Sequence, residues 1–143
     1  MIANPDAAGW TLDPQIERDT TAIGDLALCR VLLMRDANYP WLILVPRRIR
    51  ASEIVDLDTA DRSQLMVEIA DASRALKAVT GCDKINVAAL GNVVPQLHVH
   101  VIGRFRTDPA WPKPVWNAVP ARDYDAAARY RLTAALREHL TPV

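Results

Sequence analysis

The run Gln96-Leu97-His98-Val99-His100-Val101-Ile102 constrains the fold of this chain more tightly than any other segment. Polar and apolar residues alternate through it, and in a β-strand successive side chains point to opposite faces. Leu97, Val99 and Val101 therefore read as core, while Gln96, His98 and His100 form a polar row on the other face. Two of the chain's 3 histidines stand in that row, about 7 Å apart at a rise of ~3.4 Å per residue. Such a strand needs an apolar layer behind it and offers imidazoles in front, which points to a ligand, a metal or a reaction on that side.

Other segments supply the layer. Gly24 opens an apolar run, Asp25 to Met34, that Arg35-Asp36-Ala37-Asn38-Tyr39-Pro40 breaks with turn formers. Trp41 to Val45 is a second strand, ended by Pro46, which has no N–H to pair. The two form a hairpin. Asp58 or Thr59 can cap a helix in which Leu65, Met66, Ile69, Ser73, Leu76 and Thr80 follow helical spacing, with Glu68, Arg74 and Lys77 off that stripe. Gly81 is its stop. Lys84 to Leu90 is a third strand, Gly91 and Asn92 a turn, and Leu97 to Ile102 a fourth strand. Thr107 to Pro120 is rich in proline and tryptophan and follows no period. Asp123 to Leu140 is again helical through Tyr130, Ala134 and Leu136, with Asp123 as candidate cap. The expected fold is α+β, an antiparallel β-sheet packed against one long helix with an additional C-terminal helix. One domain over 1–143 comprises an N-terminal segment (1–23), a core (24–105), and the Pro/Trp segment with the terminal helix (106–143).

At 50% hydrophobic over 143 residues, the chain can build one core and hardly two. Its 17 basic and 17 acidic residues create no global field to attract nucleic acid or an anionic membrane, so neither is expected as a partner. Cys29 and Cys82 lack the paired spacing of a zinc or redox motif and read as buried reduced thiols of a cytoplasmic protein. Met1 to Trp10 lacks the pattern of a secretory signal, and no apolar stretch approaches the ~20 residues of a membrane span.

An ordinary imidazole titrates near pH 6.5, so His98 and His100 could serve as nucleophile, base or acid. Two other readings stay open on spacing alone. His-x-His on a strand is also a pair of zinc ligands, although His139 and the cysteines lie in other segments and complete no set. A purely structural pair is the third. Asn86, inside a strand, could simply bond a neighbouring backbone. Arg47, Arg48 and Arg50 read as solvated loop surface. Arg104 and Arg106 could flank an anionic substrate or face water. Trp111 and Trp116 could cover a ligand, pack, or meet a second subunit. Gly91 reads first as a turn residue.

The segment Gln96 to Ile102 resembles the His-φ-His-φ-His-φ-φ motif (φ apolar) of the histidine-triad superfamily of nucleotidyl hydrolases and transferases, matching everywhere but the first histidine. Leu42-Ile43-Leu44-Val45-Pro46-Arg47-Arg48, Ile54-Val55-Asp56-Leu57, Asn86 and Gly91-Asn92 are similar to family segments in the same order, so the likeness runs from about Leu26 to Phe105. The resemblance implies a homodimer and covalent catalysis at the α-phosphate of a purine nucleotide conjugate, without metal or other cofactor. It implies His98 as nucleophile, with His100 and Gln96 near phosphate. Asn86, Gly91 and Asn92 fall at phosphate-site positions, and Asp36 near the position of an acidic ribose ligand. The chain departs from the pattern at Gln96, at Trp41 where many members carry another pocket histidine, at Asn92 in place of the usual Gln, and at Val93 in place of Ser or Thr.

Overall fold

The computed structural model describes residues 9–140. The elements in chain order are α1 (Pro14–Asp19), β1 (Thr20–Asp25), β2 (Cys29–Met34), β3 (Trp41–Pro46), α2 (Thr59–Thr80), β4 (Lys84–Ala88), β5 (Val99–Arg104) and α3 (Ala126–Leu140). The strands form one antiparallel sheet in the order β1-β2-β3-β5-β4. The fold is the expected α+β arrangement. β3 is central and buried along its whole length, which explains why Trp41 to Pro46 is continuously apolar rather than alternating. Leu42, Leu44, Val99 and Val101 face a core shared with Leu65, Ala72 and Leu76 of α2 and Leu136 of α3. Trp41, Ile43 and Ile102 face the other way, against Ile16 of α1 and Ala110 and Val115 of the Pro/Trp segment. The histidines lie on this second face, since His100 pairs with Ile43.

Several sequence expectations need correction. The expected start of the core at Gly24 falls inside β1, and α1 and β1 were not foreseen. β1 carries little apolar signal because only Ile23, at a break in the ladder register between Ala22 and Gly24, is a large buried residue. Asp13-Pro14 was nevertheless a legible helix start: Asp13 accepts the Gln15 N–H at 2.8 Å, and Pro14 loses no hydrogen bond in the first turn. The first expected strand splits at 26–28, and β5 runs to Arg104 rather than Ile102.

In α2, Asp58 is the cap and Gly81 ends the helix in the left-handed region at φ 67°. Its buried face is Leu65, Glu68, Ile69, Ala72, Ala75 and Leu76, whereas Met66 is exposed. Small Ala72 and Ala75 let the sheet approach closely. Glu68 is buried because its carboxylate accepts the Leu28 and Cys29 N–H groups at 2.9 and 2.8 Å, and Gln64 Nε2 at 2.7 Å. That clamp joins the β1–β2 turn to α2, and burial together with the Glu68 charge pushes the Cys29 thiol far up. At α3 it is Asp125 that accepts the Ala127 N–H, not Asp123, and Tyr130 is exposed while Thr133, Leu136 and Leu140 are buried. Among the described residues no helix is long and apolar enough to cross a membrane.

Candidate active site

His98 and His100 enter the site from the start of β5 with ring centroids 5.0 Å apart, both nearly buried. Their hydrogen bonds divide them. His98 Nδ1 lies 2.7 Å from the Gln96 carbonyl. In the neutral ring that contact makes Nδ1–H the donor and leaves the lone pair on Nε2. His100 is held at both nitrogens: Trp41 Nε1–H donates to Nδ1 at 3.0 Å, and Nε2–H donates to the Leu90 carbonyl at 3.1 Å. Trp116 stands edge-on to His100 at 5.1 Å and to Trp41 at 5.7 Å, which fixes the imidazole from a third side.

Burial, reinforced by the nearby His98, lowers the His100 pKa to about 4, although the Leu90 carbonyl opposes the shift. The sign of the resulting pH dependence follows. Below pH 6.5 the unfolded chain takes up a proton that the folded ring refuses, so stability falls as pH drops from 6.5 towards 4. The total for this group is roughly 3 kcal/mol. Urea unfolding at pH 7 and pH 4.5 is expected to show a steeper loss for the native protein than for His100→Asn. Equal losses would mean that the ring is not buried neutral.

Gly91 and Asn92 flank His98 and line both cavities that meet there, one of about 190 Å³ and one of about 460 Å³. Space rather than turn conformation requires Gly91: a Cβ there would lie 2.8 Å from the Val94 carbonyl oxygen and 3.1 Å from His98 Cε1. The larger cavity is also lined by Met34, Val94 and Trp116, with Gln15 and Asp19 from α1, two residues that sequence reasoning missed. Met34 and Asp19 also line a neighbouring cavity that contains Asp36. The Asp36 Oδ1 accepts from Asn38 and from the Arg122 N–H, which ties the loop after β2 to the chain before α3.

Two candidate residues are engaged elsewhere. Gln96 uses its amide on the backbone of residues 11 and 13. Asn86 lies on the histidine face, but its Oδ1 accepts from Arg104 at 2.8 Å, and it lines neither His98 cavity. The arginine expectations also change. Arg104 does not face water: it is fully buried, bidentate to Asp108, and lines neither His98 cavity. Arg47 donates to the Leu26 and Leu28 carbonyls and Arg48 pairs with Asp61, so both are structural. Among the described residues no group of three or more His, Cys, Asp or Glu side chains is placed to hold a metal ion.

The HIT domain model matches residues 15–107. A solved histidine triad protein from Bradyrhizobium japonicum is 53% identical, covers 92% of this chain and 98% of its own, and superposes with a TM-score of 0.90. One from Sinorhizobium meliloti is 43% identical over 94% of this chain and 99% of its own, TM-score 0.91. One from Marinobacter aquaeolei is 42% identical over 92% and 96%, TM-score 0.89. No curated protein matches the chain.

Proposed function

Because the chain belongs to the HIT domain family, we propose that it is a nucleotidyl hydrolase or transferase acting at the α-phosphate of a purine nucleotide conjugate, a phosphoramidate or a dinucleoside polyphosphate. The observation that carries this reading is the His98 Nδ1 contact with the Gln96 carbonyl, which leaves Nε2 as the nucleophilic nitrogen. Nε2 attacks phosphorus, an N–P bond forms, and the bond to the leaving group breaks: an amine departs with a proton taken from solvent, a phosphate departs as its anion. Water or another acceptor then attacks phosphorus, the N–P bond breaks, and nucleoside monophosphate or the transferred product leaves. His100 holds the neighbouring wall through Trp41 and Leu90, Gly91 and Asn92 line the phosphate region, and Asp36 serves the ribose. Asn86 supports the site through Arg104. The reaction as written uses no cofactor.

Gln96 stands where the family motif has its first histidine, and with Trp41 and Val93 it defines a variant of the triad. The second reading, a nucleotide-binding protein with little turnover, is favoured by one observation: the ring nitrogens of His100 and both ends of the Gln96 amide already have protein partners. One experiment decides between the two. Incubation with an adenosine phosphoramidate, alkaline quench and intact mass measurement are expected to show an added AMP mass that disappears in His98→Ala. AMP binding without adduct or AMP release would establish the binding protein instead.

A homodimer through strand and helix surfaces is supported by the sheet ending at β4, where Val87 is half exposed, and by exposed Met66 and Val67 on α2. The two buried free thiols, Cys29 and Cys82, support a reducing cytoplasmic setting.

A further inference from the structure

His100 stands beside the nucleophile, its ring centroid 5.0 Å from that of His98. Position alone would suit it to hand a proton to the departing group. Its hydrogen bonds oppose that use. An indole N–H only donates, so Nδ1, 3.0 Å from Trp41 Nε1, carries the lone pair. A carbonyl oxygen only accepts, so Nε2, 3.1 Å from the Leu90 oxygen, carries the proton. The ring is neutral, and its single N–H is committed to the backbone. A proton on Nδ1 would set two N–H groups against each other in a buried contact, His100 being 4% and Trp41 6% exposed. The Trp116 and Trp41 rings, centred 5.1 and 5.6 Å from the imidazole, oppose any turn that would release Nε2 from Leu90.

His98 has no proton for the leaving group either. Its Nδ1–H is held by the Gln96 carbonyl, and Nε2 is the attacking atom. In-line displacement sends the leaving group off beyond phosphorus, away from that N–H and from the Gln96 carbonyl. Glu53 lines the smaller cavity with Pro95, Gln96 and Leu97, behind the attacking nitrogen.

We propose that Trp41 is a positioning residue that withholds His100 from proton transfer, and that the histidine pair accordingly favours nucleotidyl anhydrides, whose leaving group departs as a stable anion, over phosphoramidates. The proposal rests on the nucleotidyl-transfer reading. As Nε2 bonds to the α-phosphorus, the P–O bond breaks and its electron pair leaves with a phosphate or carboxylate oxygen. No proton moves in that step, and the imidazolium formed on His98 keeps its Nδ1–H on the Gln96 carbonyl. Water then attacks phosphorus, the N–P electron pair returns to Nε2, and the proton that the water sheds goes to solvent. An amine has no such exit, because its nitrogen must gain a proton as the P–N bond breaks.

A substrate series with one nucleoside and graded leaving groups tests this: aryl esters of AMP from dinitrophenyl to phenyl, diadenosine tetraphosphate, and an adenosine phosphoramidate. In the native protein kcat/KM is expected to fall ~10²-fold or more from the dinitrophenyl to the phenyl ester, the span a general acid would otherwise recover. The tetraphosphate is expected to outpace the phosphoramidate by a similar factor. His100→Asn is expected to slow every member equally, whereas loss of an acid would spare the dinitrophenyl ester and penalise the phenyl ester and the amine. A flat native series, or a loss in His100→Asn that grows with leaving-group basicity, overturns the proposal and leaves the transfer reading standing. Nitrogen chemical shifts check the lock without turnover. At neutral pH the native His100 Nδ1 is expected to be the bare nitrogen, and Trp41→Phe is expected to shift its resonance while that of His98 Nδ1 stays in place. A protonated Nδ1 in the native protein, or a resonance that Trp41→Phe does not move, overturns the role of Trp41. No adduct and no turnover with any member overturns the preference together with the transfer reading.

Discussion

Turnover of an adenosine phosphoramidate is expected to fall by roughly 10⁴-fold or more in His98→Ala, as removal of a covalent nucleophile does in other two-step enzymes. His100→Asn should cost less, about 10²-fold, the scale of a misplaced rather than a missing group. The asymmetry follows from the hydrogen bonds. His98 has one nitrogen fixed by the Gln96 carbonyl, whereas both nitrogens of His100 are fixed, by Trp41 and Leu90. His100 is therefore expected to act by keeping Trp41, Trp116 and the 90–92 turn in register beside its neighbour. Steady-state kcat for each variant, measured with its melting temperature, provides the check. Equal losses in kcat would show that His100 also takes part in the chemistry.

The sequence exposed the histidine strand because its residues alternate between the two faces of the sheet, Val99 and Val101 towards α2 and His100 and Ile102 towards the Pro/Trp segment. The long helix was legible for a similar reason: Asp58 and Gly81 punctuate it, and both proved to be its caps. What escaped was decided by tertiary partners. Glu68 looked like a surface residue because nothing in its helix announces two unpaired N–H groups arriving from the β1–β2 turn. Arg104 reads as either an anion ligand or a solvated residue because Asp108 and the rings of Tyr39 and Trp111, which together make its burial tolerable, lie in a loop and another turn. On its motif alone Gln96 reads as a phosphate contact, and its bonds to residues 11 and 13 cross 85 and 83 positions of chain. Periodicity describes which side of an element is covered. It carries no information about which distant backbone group covers it.

Asp108→Ala is expected to destabilise the fold by about 3–5 kcal/mol, the cost of leaving a buried charge without its partner. The Arg104 and Asp108 side chains are 2% and 3% exposed, joined at 2.8 and 3.0 Å. Asp108 also accepts the N–H groups of Phe105, Ala110 and Trp111. Burial alone would raise its pKa. The guanidinium and the three N–H groups outweigh burial and hold the carboxyl below its ordinary range, so this stabilisation persists at neutral pH and is lost only in acid. These bonds anchor the start of the segment that brings Val115 and Trp116 onto the histidine face, and the loss should reach His100 as well as the global fold. The double replacement Arg104→Met, Asp108→Leu removes both charges and is expected to recover at least half of the loss in urea unfolding. If the double variant remains as unstable as Asp108→Ala, the three uncapped N–H groups, rather than the stranded guanidinium, dominate the cost, and the carboxylate matters chiefly as a loop cap.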